Sequence, residues 1–527
     1  MEADRVTRSK FACSTLFLAF CLTVLCMSGP SADAQTFTDI GAELAGIQVS
    51  VPAWGDYDND GDLDLAIAGR HENAYVSKIY QNNHGTFTDI GAELVGGTSV
   101  SWGDYDNDGD LDLAVIEYYR EWTCKIYRNT EGAFSDTGTN LWVNSSHAPA
   151  WADYDDDGGL DLTFAGYDGI DIYRNSNGTF THTSIGIPCN SGASFVWGDY
   201  DNDGDLDLAL TWSKEDSSSG KYICVATIYR NDNGVFTDIE PGLTAVTGSL
   251  AWGDYDNDGD LDLAIAGNDG DYKHFSKIYR NDNGNFIDIR AVVRNIGEGC
   301  SLAWGDYDND GDIDLAIVGY AGGVGIVSKI YRNNNGIFTD IAVGLTAVYY
   351  ASLAWGDYDN DGDLDLVLAG WTGSNRICKI YRNDSGVLNS VPTAPTGLAA
   401  SPSGSDITFS WNAATDAQTP VSGLSYNLRV GSAPGKNDIF SGMADSSTGL
   451  RRIPSIGNAQ KKLSWTLKGL NGKFKDCYWS VQAIDSAFAG SAWASESCVI
   501  RPITISGHVK TSQGIPISGI NDFQVTI

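Results

Sequence analysis

Seven stretches of this sequence crowd carboxylates at a fixed spacing. The first reads DYDNDGDLD over residues 56–64. With Asp56 as position 1, Asp58, Asp60 and Asp64 fall at positions 3, 5 and 9. Gly61 sits at position 6 and Asp62 at position 7. Odd spacing puts alternate side chains on one side of a curling loop. Glycine at position 6 lets the backbone turn sharply, so the carbonyl of position 7 faces inward. Four carboxylates and a carbonyl make an oxygen-only cage, which suits Ca²⁺ better than Mg²⁺. Carboxylates this close repel one another, so a divalent cation among them is the economical explanation; Asx turns in a surface loop are the bland alternative.

The same residues recur six times. Loop 2 carries Asp104, Asp106, Asp108, Asp110 and Asp112, and loop 4 carries Asp199, Asp201, Asp203, Asp205 and Asp207. Loop 5 has Asp254, Asp256, Asp258, Asp260 and Asp262; loop 6 has Asp306, Asp308, Asp310, Asp312 and Asp314; loop 7 has Asp357, Asp359, Asp361, Asp363 and Asp365. Loop 3 reads DYDDDGGLD. It keeps Asp153, Asp155, Asp157 and Asp161, and offers the carbonyl of Gly159. Up to seven Ca²⁺ ions are expected. An EF-hand is excluded, because position 12 is Ile67 within an apolar alternating run and no helix pattern flanks the loop.

The elements that position these loops follow from the repeat. Each copy opens with a short apolar segment ending in Trp (Trp54, Trp102, Trp151, Trp197, Trp252, Trp304, Trp355). After the loop comes a run such as LDLAIAG, with a period of two. A variable connection leads to SKIYRN, then to an Asn-Gly turn such as NDNG at 231–234, and then to FTDI. That makes four short strands per copy of about fifty residues, and seven copies. The expected fold is all-β: a seven-bladed β-propeller over 35–390, with one Trp per blade packing blade against blade. The segment 36–44, TFTDIGAEL, matches a fourth strand without the first three. The last copy lacks its own, so 36–44 is expected to close the final blade beside 377–383.

Asp-x-Asp-x-Asp-Gly-x-x-Asp between two strands, repeated seven times, resembles the FG-GAP (VCBS-type) repeats of the integrin α-subunit propeller. The resemblance covers about two thirds of the chain. It implies Ca²⁺ loops between first and second strands on the lower face, and ligands on the upper face. It does not assign an activity.

The 527 residues carry a net charge of −36, and the seven loops hold about half of the 69 acidic residues. The acidity is therefore motif rather than general surface. Nucleic acid is excluded as a partner, since phosphate binding needs Lys/Arg surfaces. Residues 1–34 read as a secretory signal, with Arg5, Arg8 and Lys10 before an apolar stretch and Ala32-Asp33-Ala34 as the cleavage site. The mature chain is expected outside the cell or at its surface, with no membrane span. Residues 389–404 are a Pro/Ser/Gly-rich junction. Alternating runs over 391–502 resemble a fibronectin type III sandwich with Trp411 in its core. Residues 503–527 resemble the start of a carboxypeptidase-regulatory-like sandwich.

Cys477 and Cys498 are expected on adjacent sandwich strands, close enough to bridge if register allows. No catalytic constellation is found: the six histidines are scattered, and no nucleophile elbow or phosphate loop occurs. The variable connections carry aromatics, of which Trp122, Trp212 and Trp371 are the candidate ligand contacts. The expected partner is an extracellular protein or glycan, giving adhesion or recognition, with a lectin as the alternative and a polysaccharide lyase as a distant third.

Overall fold

Alternating apolar runs bury one row of side chains and pair their main chains laterally, and that is how this chain folds. The computed structural model describes residues 37–118, 121–143, 148–190, 192–216, 221–297, 299–384, 386–470, 476–500, 504–507 and 523–526. The signal segment 1–34 lies outside them. Among the described residues there are seven four-stranded antiparallel sheets. Sheet 1 consists of Gln48–Gly55, Asp64–His71, Ala74–Asn83 and Thr86–Asp89, paired in that order. Sheets 2 to 6 repeat the order over 97–142, 150–184, 194–238, 247–288 and 301–340.

Sheet 7 takes its outer strand from the other end of the sequence. Phe37–Asp39 pairs with Arg376–Asn383, Phe37 opposite Asn383 and Asp39 opposite Tyr381. Asp39 Oδ2 accepts from Lys379 Nζ at 2.7 Å. Lys125 to Asp136 and Lys277 to Asp288 make the same cross-strand pair inside sheets 2 and 5. Such half-exposed pairs contribute little energy, but they show that residue 39 occupies the position the repeat demands. Phe37 also packs against Tyr307 and Trp355, with ring centroids 5.8 and 6.0 Å away.

Two side chains per copy hold neighbouring sheets together. The first is the asparagine that ends the SKIYRN run. In sheet 2, Asn129 Nδ2 donates to Leu111 O in its own sheet (3.0 Å) and to Tyr57 O in sheet 1 (2.7 Å). Its Oδ1 accepts from Gly132 N. Asn175, Asn231, Asn281, Asn333 and Asn383 reach Tyr105, Tyr154, Tyr200, Tyr255 and Tyr307 of the preceding sheet in the same way. Asn82 of sheet 1 reaches Tyr358 of sheet 7. All seven asparagines are buried, so each bond is made away from water and is costly to lose.

The second is the tryptophan. Trp102 Nε1 donates to Ala53 O (3.1 Å), and its ring stacks on Tyr57. The glycine after each Trp makes room for the next: a Cβ on Gly103 would lie 2.7 Å from the Trp151 ring. In sheet 3 that glycine is Ala152, and there the next indole, Trp197, donates to Thr163 Oγ1 instead of a main-chain carbonyl.

Residues 396–500 form two three-stranded sheets, Thr396–Ser403, Asp406–Asn412, Ser464–Leu467 and Ser425–Gly431, Asp476–Ile484, Ser497–Ile500. They enclose an apolar core that includes Trp411, Trp465 and Trp479. Thr504–Gly507 pairs with Phe523–Thr526. The expected Cys477–Cys498 bridge is not made. Cys477 stands opposite Val499 and Cys498 opposite Tyr478, so the two thiols lie on opposite faces of the sheet, one buried and one exposed. No disulfide is formed among the seven described cysteines.

Truncation of residues up to 44 removes the outer strand of sheet 7 and exposes Tyr307 and Trp355. Urea denaturation should show the midpoint falling for the whole repeat array. An unchanged midpoint would mean that the strand is ornamental.

Candidate metal centres and the face that covers them

Each acidic loop joins the first strand of its sheet to the second, so both ends are anchored in buried β structure. Position 4 adopts the left-handed backbone conformation in all seven loops, with φ between +55° and +61°. Asn or Asp fills it, the residue types that tolerate this region best after glycine. Position 6 is glycine with φ near +100° (Gly61 +96°, Gly204 +105°).

The position 1 carboxylate is pinned by main-chain donors. Asp56 Oδ1 accepts from Asp60 N (3.1 Å), and Oδ2 from Gly61 N (3.2 Å). The same pair recurs in the other six loops, for example at Asp254 and Asp357. Position 9 is fully buried in every loop. Asp64 accepts from Tyr57 N and Asn82 N (3.1 and 2.7 Å). Position 5 lies toward solvent, so the cage has one open side. The position 7 side chain is held by neighbours: Asp62 accepts from Asn360 Nδ2 (3.0 Å) and from His84 N (3.1 Å).

One carboxylate oxygen from each of three residues falls within 4.8 Å of the others in Asp56/Asp58/Asp64, Asp104/Asp106/Asp108, Asp153/Asp155/Asp161, Asp199/Asp201/Asp203 and Asp254/Asp256/Asp262. Burial, aided by the neighbouring carboxylates, pushes the position 9 carboxyls far above their usual range. Asp112, Asp207, Asp262 and Asp365 rise to about 9, and Asp64 and Asp161 to about 8. Burial also raises Asp56, Asp199 and Asp357 to about 7. A cation beside such groups would favour their ionised form.

The fit to a cation rests on one recurring atom. At position 3, the inner Oδ1 of Asp58, Asp106, Asp155, Asp256, Asp308 and Asp359 is buried and receives no hydrogen bond. The outer oxygen is often held: Gln81 Nε2 donates to Asp58 Oδ2 (2.6 Å), and Arg332 Nε pairs with Asp308 Oδ2 (2.8 Å). A buried acceptor without a donor, turned toward other carboxylates, has the chemistry of a hard-metal ligand. These residues fit a divalent cation.

The arginines of the SKIYRN runs fall into two groups. Arg128, Arg174 and Arg332 lie over positions 3 and 5 of their own loops. Arg230, Arg280 and Arg382 turn away to Asp232, Asp282 and Asp384, two residues further on. The dipeptide after the arginine, Asn-Asp against Asn-Thr, Asn-Ser or Asn-Asn, decides which.

Sequence reasoning missed what lies on these loops. The sandwich is docked on the acidic face. Arg452 O accepts from Asp56 N (2.9 Å), and Ser441 N donates to Asn107 Oδ1 (2.9 Å). Ser486 Oγ donates to Asp306 Oδ2 (2.7 Å). Lys461 Nζ meets Asp254 Oδ2 at 2.7 Å with both groups buried, and also bonds Ser422 O and Gly423 O.

Loop 3 shows why its sequence departs from the rest. Elsewhere the position 4 asparagine donates to the next loop, as Asn257 Nδ2 does to Gly311 O and Asp312 Oδ1 (both 3.0 Å). Loop 3 has Asp156 there, facing Asp205. Lys468 of the sandwich bridges the two carboxylates at 2.9 and 2.8 Å. The lysine replaces the amide.

The candidate ligand aromatics fare differently. Trp122 is half-buried against Tyr118 (4.6 Å between centroids), and Trp371 is half-buried beneath the Arg376 guanidinium (5.2 Å). Trp212 is a correction: it is 7% exposed in the core shared by sheets 3 and 4. The long connection expected there continues as paired strands to Asp216 opposite Lys221, which carries the indole inward. Its tip, 217–220, lies outside the described residues, as does Tyr119.

With this geometry in place, comparison with known proteins adds the following. The FG-GAP-like repeat family matches residues 56–115, 104–164, 153–210, 254–317 and 306–368, together just over half of the chain. Similar solved structures include the V. cholerae biofilm matrix protein Bap1, 11% identical, with 93% of this chain and 79% of that one covered and a TM-score of 0.30. Another is a BT0996–RGII complex, 8% identical, with 66% of this chain and 91% of that one covered and a TM-score of 0.28. Comparison with curated proteins returns no match.

Lys468→Ala leaves Asp156 and Asp205 facing each other without a cation. It should cost about 1–3 kcal/mol in urea denaturation, below the figure for a fully buried pair because the ammonium is partly exposed. Adding Asp156→Asn should recover most of that loss. If the double variant is no more stable than the single one, the substitution of lysine for amide is misread.

Proposed function

The chain belongs to the FG-GAP-like repeat family, and from that premise we propose that it is a secreted or cell-surface Ca²⁺-binding protein for adhesion or recognition. The seven sheets are the blades of a closed propeller over 35–390. The chain of asparagine bonds from each sheet to the one before, and from sheet 1 to sheet 7, supports closure. The module over 391–502 is fibronectin type III-like, and residues 503–527 begin a further sandwich. Calcium is the cation of the acidic loops. The all-oxygen donor set and the buried position 3 oxygens without donors support it over magnesium.

The observation that carries the functional reading is the docked sandwich. It occupies the acidic face through Arg452, Lys461, Lys468 and Ser486. Ligand access is therefore to the opposite face, where the connections between second and third strands expose Tyr118, Tyr272 and Tyr320. The ligand is an extracellular protein or glycan, and the chain is a binder rather than an enzyme. No helix of the described residues is long and apolar enough to cross a membrane.

Calcium then acts on stability. A site binding at about 0.1 mM adds about 1.4 kcal/mol at roughly 1 mM Ca²⁺, so several sites give several kcal/mol. EDTA should lower the melting temperature sharply, and Ca²⁺ should restore it. On arrayed extracellular proteins and glycans at saturating Ca²⁺, Trp122→Ala and Trp371→Ala should weaken retention with the melting temperature kept. Asp64→Ala should lower the melting temperature with retention kept. The reverse pattern, folded aspartate variants that bind nothing, would mean that ligand bridges through the cation on the other face.

A further inference from the structure

The ligand-side face carries one cleft whose walls are rings. It lies between the hairpins of sheets 5 and 6 and has a volume of about 500 Å³. Asn268, Tyr272, His274, Tyr320, Gly322 and Gly323 line it. Tyr272 is 82% exposed, an extreme value for a tyrosine, and Tyr320 is 38% exposed. His274 meets Tyr320 edge-on, with centroids 5.7 Å apart.

These rings are held in place before any ligand arrives. Tyr272 sits in the left-handed backbone region at φ +61°, which is costly for a bulky side chain. Its turn is locked: Asp269 N donates to Lys273 O, and Tyr272 N to Asp269 O. The Asp269 carboxylate accepts from Asp271 N and Lys273 N, both at 2.9 Å. His274 is slotted between two glycines. A Cβ on Gly297 would run into its ring, and one on Gly322 would come within 3.4 Å of Nδ1. The file of rings continues through Tyr349, 6.3 Å from Tyr320, to Tyr350.

The lining holds no carboxylate, ammonium or guanidinium. The flanking carboxylates are engaged elsewhere, Asp269 in the turn and Asp271 with Lys221 at 2.9 Å. Within this lining the charge of a ligand would meet no carboxylate, ammonium or guanidinium. The walls instead offer flat aromatic faces, one side-chain amide, two hydroxyls and a glycine floor that allows close approach. A pyranose ring has the matching surface: a flat C–H face to lie on an aromatic ring and equatorial hydroxyls to meet amide and hydroxyl groups.

We propose that the cleft between Tyr272, His274 and Tyr320 binds a neutral sugar ring of an extracellular glycan. This rests on the reading that the face opposite the sandwich is the ligand face. A second cavity of about 600 Å³, also lined by His274 and by Asn295, Arg294 and Asp340, adjoins it; its one guanidinium and one carboxylate leave its lining without net charge. The site therefore suits an internal segment of a glycan better than a single free sugar.

The test uses the full chain at saturating Ca²⁺ on an array of neutral oligosaccharides and their uronic-acid or sulfated counterparts. Retention of neutral oligosaccharides is expected, with monosaccharides held more weakly. Tyr272→Ala and Tyr320→Ala should each weaken it by about tenfold, with the melting temperature unchanged. Tyr272→Phe should keep most of the affinity, because the ring face is retained. Failure to retain any neutral glycan overturns the proposal, as does retention of acidic glycans alone. If neutral glycans bind, both alanine variants bind normally and Trp122→Ala or Trp371→Ala loses them, the cleft assignment falls while the face assignment stands.

Discussion

Everything in this fold answers to the repulsion among carboxylates turned inward within 4.8 Å of one another. The chain meets it in layers. Main-chain amides of the loop itself come first, two to each position 1 carboxylate. Arginine or glutamine from the third strand comes next, on the outer oxygens. What remains is an inner set of oxygens without donors, the place of a cation. The same loop sets the carbonyl of its position 2 tyrosine, and that carbonyl accepts the asparagine of the next sheet. Charge inside one loop and cohesion between two sheets are therefore one problem, because a loop that opens also withdraws its neighbour's hydrogen-bond acceptor.

Much of this is legible in the sequence, for a physical reason. Period-two alternation and Asn-Gly turns are local, and repetition averages out their ambiguity. The orphan strand at 36–44 can be placed because its motif is missing from the other end. The misreadings share a different cause. Trp212 reads as a loop residue only if connection length is equated with loop length, whereas the paired strands simply run further. Cys477 and Cys498 stand in the right strands but one residue out of register, and a one-residue step changes the face. The asparagines that bridge neighbouring sheets stand in plain view in every SKIYRN run. Nothing in one strand reveals that its final side chain crosses to another sheet.

The docked sandwich is the least legible feature, since its contacts lie hundreds of residues apart: Lys461 with Asp254, Arg452 with Asp56, Lys468 with Asp205. The lysines do at a distance what Arg128, Arg174 and Arg332 do locally. Lysines of the sandwich approach loops 3, 4 and 5: Lys468 spans Asp156 and Asp205, Lys462 lies 4.0 Å from Asp199 and Lys461 2.7 Å from Asp254; in loops 4 and 5 the local arginine is drawn off by Asp232 and Asp282. In those two loops the cation that the local arginine withholds comes from the sandwich.

Asp156 has a meaning that stability alone does not capture. Seven near-identical loops present an unrepeated partner with seven near-identical berths, and a sandwich slipped by one repeat would find almost the same backbone beneath it. An aspartate at one position 4, where the other loops have asparagine, destroys that degeneracy. Only there do two loops offer a carboxylate pair to Lys468. The odd letter in the third repeat works as an index mark, fixing which of the near-identical sheets the asymmetric module faces.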